Sequence, residues 1–405
     1  MKLLIAIPAL NEEASIESII QRSLAARDFI VANSPVTQVE ITVVSDGSTD
    51  RTVELASRYS GQIKLIVFPQ NRGYGAAIKE AWAQSDADLL GFLDADGTCD
   101  PTFFATLCQE SAARDADVVL GCRLNKQSRM PPIRRLGNAI FAAMLSVLSS
   151  SRVRDTASGM RVVRRSSLDR LYPLPDGLQF TPAMSARAML SNRLRIAEVD
   201  MPYHEREGES KLRVGKDGLR FLRVIVEAAF LYRPSRPMAI AGTAFAAIAA
   251  VLMMSPIVYY VNHRSVQEWM IYRFLVSELL GVAACLSFSA SYLTGRMTAI
   301  AMAGESGGEE PSAIERFVRG RRFWSIPIAL CLVGGGLVLA SFLQLLRTGQ
   351  TYEHWSRYVV MSFCFAAAAI ASFTRVVEYV LALVADRMAY LSSRGSYSTV
   401  TAARR

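Results

Sequence analysis

Four long apolar runs near the end of the chain constrain its fold more than any other feature. They cover Met238–Val261, Tyr272–Leu293, Phe323–Leu346 and Tyr358–Phe373. A helix of ~23 residues reaches roughly 34 Å, enough to cross the hydrocarbon layer of a bilayer. The first three runs are not amphipathic, so each reads as a membrane span rather than as a buried helix of a soluble core. The fourth is interrupted just beyond its end by Arg375 and Glu378, which stand three apart and could pair as a helix leaves the membrane. Glu278 falls inside the second span, where a carboxylate is costly unless it faces protein or water. Arginines are abundant before the first run, between the second and third, and in the tail, but sparse in the other two loops. By the positive-inside rule both termini are expected in the cytoplasm.

The first 200 residues have a different pattern. Short β-branched runs, Leu3–Pro8, Glu40–Ser45, Ile63–Phe68, Leu89–Leu93, Val118–Gly121 and Ile196–Met201, alternate with helix-length stretches such as Glu12–Arg27, Asp50–Tyr59, Gly75–Gln84 and Pro101–Ala113. This alternation predicts an α/β domain with a largely parallel sheet covered on both faces. Ligands in such sheets sit outside the carboxyl ends of the strands, and polar residues cluster there: Asn11 and Glu12, Asp46, then Asp94 and Asp96. The expected organisation is a domain over 1–215, an interfacial amphipathic segment over 216–236, a four-helix membrane domain over 237–385 and a cytosolic tail over 386–405. Pro132–Ser150 and Asp217–Arg233 both mix arginine with large apolar residues at near-helical spacing. Each can lie in a headgroup layer or pack as an ordinary surface helix.

The net charge of +9 admits three kinds of partner: nucleic acid, an anionic membrane or a phosphorylated substrate. The basic residues follow the apolar runs instead of forming one groove, which argues against nucleic acid. The six cysteines are scattered, with no C-x-x-C pair, so reduced thiols and a cytosolic N-terminal half are expected. Met1-Lys2 leads straight into the Leu3–Pro8 strand, and no secretory leader is expected.

The strongest chemical signal is Phe92-Leu93-Asp94-Ala95-Asp96-Gly97: an apolar strand delivers two carboxylates, one residue apart, into the strand-end crevice. Two acids before a glycine suit Mg²⁺ or Mn²⁺, with diphosphate oxygens completing the coordination. Asp46 ends another strand and is placed for a ribose hydroxyl or base edge. The glycine-rich turn Asn71-Arg72-Gly73-Tyr74-Gly75 could approach a diphosphate through backbone N–H groups, or be only a turn. Asp155 and Arg161 share one loop, Arg123 follows the Val118–Gly121 strand, Arg129, Arg134 and Arg135 lie near the expected interface, and the polar loop Arg206–Lys211 stands just ahead of the interfacial helix. Guanidinium groups suit bidentate phosphate binding.

Pro8-x-x-Asn11-Glu12, Ser45–Asp50, Asn71-Arg72-Gly73, Asp94-Ala95-Asp96-Gly97, Ser158-Gly159-Met160-Arg161 and Gly208–Leu212 together resemble the family 2 glycosyltransferases. The similarity is greatest to the polyprenyl-phosphate branch, which includes dolichol-phosphate mannose synthases and undecaprenyl-phosphate glucosyltransferases. It covers roughly residues 1–232, and four C-terminal spans also occur in that branch. The resemblance implies a GT-A (Rossmann-like) fold at the face of a bacterial or archaeal cytoplasmic membrane. The implied reaction is inverting transfer of a sugar of glucose or mannose type from a UDP- or GDP-linked donor to a polyprenyl phosphate. It also implies roles: Pro8, Glu12, Asp46, Arg72, Gly73 and Ala95 on the nucleotide; Asp94 and Asp96 on metal and diphosphate; Asp155 and Arg161 with them in catalysis; and Arg123, Arg135, Arg206, Ser210 and Lys211 on the acceptor phosphate. A homo-oligomer is left open.

The chain departs from the family at Ala183, where relatives often carry an acid. A phosphate acceptor is anionic near pH 7 and has little need of a base, so the departure agrees with such an acceptor and equally with altered activity. A processive polysaccharide synthase would be expected to carry that acid and a Gln-x-x-Arg-Trp motif, and neither is found. A scaffold that binds nucleotide sugar without turnover is opposed by the intact Asp94 and Asp96.

Overall fold

The computed structural model describes residues 1–402 apart from 126, 127, 129, 150, 192, 205–213, 303–311 and 351–353. The chain divides into two compact units, Met1–Tyr232 and Arg233–Arg405.

The first unit is built on seven strands: β1 (Lys2–Ala9), β2 (Gln38–Asp46), β3 (Lys64–Phe68), β4 (Leu89–Phe92), β5 (Val118–Cys122), β6 (Arg161–Arg164) and β7 (Ile196–Asp200). Its helices are α1 (Ile16–Ala32), α2 (Thr52–Ser57), α3 (Tyr74–Ala83), α4 (Phe104–Ala113), α5 (Pro132–Leu148), α6 (Leu168–Leu171), α7 (Phe180–Leu190) and α8 (Val214–Tyr232). The strands form one sheet in the order β3-β2-β1-β4-β6-β5-β7. β1, β2, β3 and β4 run parallel, and β6 is antiparallel to both its neighbours. This is a GT-A-type α/β sheet, as the motifs imply. The one strand that the sequence pattern misses is β6, only four residues long and flanked by arginines. Each of β1, β4 and β5 is almost wholly apolar and buried, the pattern of strands covered on both faces. One core layer packs Leu3, Ile5 and Ile7 against α1 and α4, and the other packs Leu4, Phe92 and Val163 against α3 and α7.

The helices α5 and α8 each bury one face on this unit. Leu145 of α5 and Ile225, Ala228 and Ala229 of α8 share a small core with Leu120 and Met189. Their other faces leave Ile133, Leu136, Ile140 and Val147 on α5, and Leu219, Phe230 and Leu231 on α8, exposed to the surroundings. The exposed α5 residues stand one or two helical turns apart, so they share one apolar face.

The second unit holds α9 (Ser235–His263), α10 (Ile271–Met302), α11 (Ala313–Arg319), α12 (Ser325–Thr348) and α13 (Trp355–Ala402). Among the described residues four helices are long and apolar enough to cross a membrane: Ser235–His263, Glu268–Ala301, Arg321–Thr348 and Trp355–Tyr390. Protein buries only 6% to 22% of their most apolar windows, so most of that surface needs an apolar solvent. The expected break of the fourth span near Arg375 does not occur, because α13 runs on without interruption. Nor do Arg375 and Glu378 pair. The fully buried Glu378 accepts hydrogen bonds from Nε of Arg319 (2.8 Å) and Nε of Arg296 (3.4 Å), while Arg375 donates to the Arg319 carbonyl (2.9 Å). The short helix α11 thereby supplies the partner that makes charge tolerable on α13.

Candidate active site

A cavity of about 460 Å³ opens at the carboxyl ends of β1, β2, β4 and β5. Pro8, Ala9, Leu10 and Glu12 line it from β1 and the following turn, Asp46 from β2, Asp94, Ala95 and Asp96 from β4, and Arg123 from β5. The loop before α3 adds Asn71, Gly73 and Tyr74, and the loop after residue 156 adds Ala157 and Gly159. Gly177, Leu178 and Thr181 close it near α7, while Arg134, Tyr203, Arg220 and Phe221 form the remaining wall.

The loops at this edge are braced by their own polar side chains. Asp50 accepts hydrogen bonds from the Glu13 N–H (3.1 Å) and from the Thr52 N–H and hydroxyl (3.0 and 2.6 Å). Burial alone would raise its pKa, but these donors outweigh that and leave it below the ordinary carboxylate value. Asp50 therefore joins the β1 and β2 loops. Asn11, at φ +50°, accepts from the Thr49 N–H (2.8 Å) in the same brace.

Asp46 is almost fully buried and accepts from the N–H groups of Arg72 (2.6 Å) and Gly73 (2.9 Å). Burial raises its pKa against the pull of these two donors. The two N–H groups that the sequence offers to a diphosphate are thus directed at Asp46. The N–H groups of Gly75 and Ala76, at the start of α3, donate to the Asp176 carbonyl (2.6 and 3.1 Å). Protein, not a phosphate, caps this helix. Only glycine fits at 73, since its φ is +110° and a Cβ would lie 2.4 Å from the Asp176 carbonyl oxygen.

The two carboxylates after β4 are both held. Asp94 accepts a hydrogen bond from the Tyr74 hydroxyl (2.6 Å), and Asp96 accepts from the Thr98 hydroxyl (2.6 Å) and N–H (3.2 Å). Arg22 of α1 donates to the carbonyls of Gly97 (3.2 Å) and Cys99 (3.0 Å), fixing the turn that follows Asp96. Among the described residues no three His, Cys, Asp or Glu side chains group as metal ligands. A pair of carboxylates on one cavity wall is a hard-oxygen donor set, which fits a divalent cation that takes its other ligands from a diphosphate and water.

Asp155 and Arg161, expected among the catalytic groups, do not line the cavity. Asp155 has no exposed surface and accepts from the backbone N–H, Nε and Nη2 of Arg123 (2.9, 2.7 and 2.9 Å) and from Asn138 (2.7 Å). Arg161 is equally buried and donates to the carbonyls of Ser158 (3.0 Å) and Thr156 (2.8 Å) and to the Ser185 hydroxyl (2.9 Å). Burial lowers the Arg161 pKa to about 10, still charged at neutral pH. Both residues are buried behind the cavity with their polar atoms on protein partners, away from its lining.

The basic wall also differs from expectation. Arg123 lines the cavity with its guanidinium bidentate on Asp155 and lying 5.4 Å from the Tyr203 ring centroid. Arg135 instead points away, donating to the Asn125 carbonyl (3.2 Å). Its neighbour Arg134 lines the cavity, and so does Arg220 of α8, which is paired with Asp217 at 3.1 Å. Arg129, Arg206, Ser210 and Lys211 lie outside the described residues. Ala183 is buried in the core beside Phe92, Trp82 and Phe180, and Thr181 is the α7 residue that reaches the cavity.

The profile described as "Glycosyl transferase family 2" matches residues 4–172. The low-salt glycan biosynthesis hexosyltransferase Agl6 of Haloferax volcanii is 32% identical over 237 residues, 58% of this chain and 55% of its own length. The dolichyl-phosphate hexose transferase of the same organism is 33% identical over 208 residues, 50% of this chain and 82% of its own. The dodecaprenyl-phosphate galacturonate synthase of Rhizobium johnstonii is 24% identical over 259 residues, 63% of this chain and 74% of its own. The chain thus spans about half the length of Agl6 and most of the other two.

Proposed function

The chain belongs to glycosyltransferase family 2, and from that premise we propose that it transfers a hexosyl group from a nucleotide-diphosphate sugar to a polyprenyl phosphate at the cytosolic face of a membrane. One observation carries the proposal: a single cavity is lined both by Asp46, Asp94 and Asp96 and by Arg123, Arg134 and Arg220. The acids suit a sugar nucleotide with its cation, and the arginines suit a phosphate acceptor. Two relatives, a dolichyl-phosphate hexose transferase and a dodecaprenyl-phosphate galacturonate synthase, each named for a polyprenyl phosphate, support the same pairing.

In this reading Pro8, Glu12 and Asp46 hold the nucleoside. Asp94 and Asp96 hold Mg²⁺ or Mn²⁺, which when bound neutralises charge on the leaving diphosphate. Asp46 acts partly through the loop it fixes at Arg72 and Gly73. Arg134 and Arg220 orient the acceptor phosphate, with Arg123 beside them. A phosphate oxygen attacks the anomeric carbon opposite the diphosphate, the bond from that carbon to the diphosphate oxygen breaks, and the electron pair leaves with the nucleoside diphosphate. The configuration inverts. No proton has to be removed from the nucleophile, so an apolar residue at 183 is compatible with turnover. Rate enhancement then rests on alignment and on fixed charge. The exposed apolar stripes of α5 and α8 carry Arg134 and Arg220 on the same helices, which supports a prenyl chain or bilayer lying along those helices with the phosphate turned inward.

The expected result for Arg134→Ala combined with Arg220→Ala is a rise of about a hundredfold or more in acceptor KM. Each lost charge-assisted contact is worth roughly 1.5–3 kcal/mol. The donor KM should stay near the wild-type value. Steady-state rates with each substrate varied in turn check this, and an unchanged acceptor KM would remove these arginines from the acceptor site.

A further inference from the structure

Tyr74 takes no part in the roles assigned so far, yet it lines the cavity and is held at both its ring and its hydroxyl. It opens α3 immediately after Gly73, whose N–H is bound by Asp46. Its ring packs edge-on against Phe92 (centroids 6.5 Å apart, planes at 84°) and Phe180 (6.4 Å, 72°). Trp82 closes the cluster, 6.1 Å from Phe92 and 5.7 Å from Phe180. Contacts of this kind fix both ring torsions. The one polar atom of the ring then emerges at Asp94, with a 2.6 Å bond from the hydroxyl to Oδ1.

Asp94 is confined from another side as well. A Cβ on Gly159 would fall 1.9 Å from Asp94 Oδ2 and 2.6 Å from its Cγ, so the backbone of residue 159 lies directly against the carboxylate. Strand β4, the Tyr74 hydroxyl and Gly159 therefore leave this side chain little choice of rotamer.

We propose that Tyr74 is a positioning residue for the cation and diphosphate site: its hydroxyl, locked by the Phe92–Phe180–Trp82 cluster, holds the Asp94 carboxylate in the orientation needed beside Asp96. This rests on the reading of Asp94 and Asp96 as the ligands of that site. The physical basis is preorganisation. A carboxylate on a free rotor must be ordered when the ligand arrives, whereas one held by a short charge-assisted hydrogen bond is ordered beforehand. Partners that orient metal ligands in this way are typically worth ten- to a hundredfold in affinity.

Tyr74→Phe removes only the hydroxyl and keeps the aromatic packing. The test is a titration of full-length, detergent-solubilised protein with Mn²⁺, followed by electron paramagnetic resonance, in the presence of UDP and, separately, of GDP. The expected result is a rise of about tenfold in the Mn²⁺ concentration at half-saturation. Gly159→Ala, which pushes on the same carboxylate from the other side, should raise it as well. Asp96→Asn serves as the reference for loss of the site. If Asp96→Asn weakens Mn²⁺ binding while Tyr74→Phe lowers only the melting temperature, Tyr74 is a packing residue and the proposal is overturned. If Asp96→Asn leaves Mn²⁺ binding intact, the assignment of the cation site fails, and the role of Tyr74 fails with it.

Discussion

Asp96→Asn lowers kcat/KM for sugar transfer by at least about a hundredfold and abolishes its dependence on added Mg²⁺ or Mn²⁺. Asp96 is 5% exposed, lines the cavity, and is held by the Thr98 hydroxyl at 2.6 Å. Asparagine has the same shape and keeps an oxygen that Thr98 can meet, so the turn should survive. What disappears is one of the two charges offered to the cation. Loss of charge stabilisation on a departing diphosphate amounts to several kcal/mol, and about 3 kcal/mol already corresponds to a hundredfold in rate. Initial rates over a range of Mn²⁺ concentrations, with circular dichroism as a check on folding, measure this. A well-folded variant with wild-type rates would remove Asp96 from the chemistry.

Asp155→Ala lowers the stability of the first unit by about 3–5 kcal/mol. The variant leaves the Arg123 guanidinium, only 12% exposed, without its bidentate partner, and deprives Asn138 of its acceptor. At roughly 2–4 °C per kcal/mol for a domain of this size, the melting temperature should fall by on the order of 10 °C. Removing both charges with Arg123→Met and Asp155→Leu should recover part of that stability, because no uncompensated buried charge remains. It should not restore activity, since Arg123 lines the cavity.

The Asp155–Arg123 pair also fixes a pH dependence. Burial pushes the Asp155 carboxyl upward, but Arg123 more than compensates and holds its pKa below the ordinary value. A group whose pKa is depressed on folding contributes stability above its unfolded value, near 3.9, and loses that contribution as pH falls through the folded value. Wild-type protein should therefore lose stability below about pH 4, with a shallower acid limb in Asp155→Ala. Thermal unfolding between pH 3 and 7 checks this. An Asp155→Ala variant with the wild-type melting temperature and acid limb would contradict the assignment.

How far the fold could be read from the sequence depended on whether the signal was local. The long apolar runs and the apolar strands that lead to Asp46 and Asp94 announce themselves, because a helix facing an apolar layer and a strand covered on both faces both demand apolar residues. β6 does not, since Arg161–Arg164 carries charge at both ends and is defined by antiparallel pairing to β4 and β5 across long sequence separations. Among the site residues, the strand-end acids were legible from position alone. Arg134 and Arg135 were not separable, because the rotation of one residue along α5 decides which of them faces the cavity. Asp155 and Arg161 look like ligand-binding residues in sequence, and only the closure of Asn138, Thr156 and Ser185 around them reveals otherwise. Tyr74 stood within a motif already marked, but its meaning lies in Phe92 and Phe180, far along the chain.

The central claim is tested most directly by mass spectrometry of lipid extracted after the purified full-length protein is incubated with undecaprenyl or dolichyl phosphate. The incubations contain a panel of UDP- and GDP-linked sugars with Mn²⁺ or with EDTA. The account predicts a hexosyl polyprenyl phosphate from one donor, formed with Mn²⁺ and lost with EDTA. Retained binding of nucleotide sugar with no glycosylated lipid from any donor would contradict it.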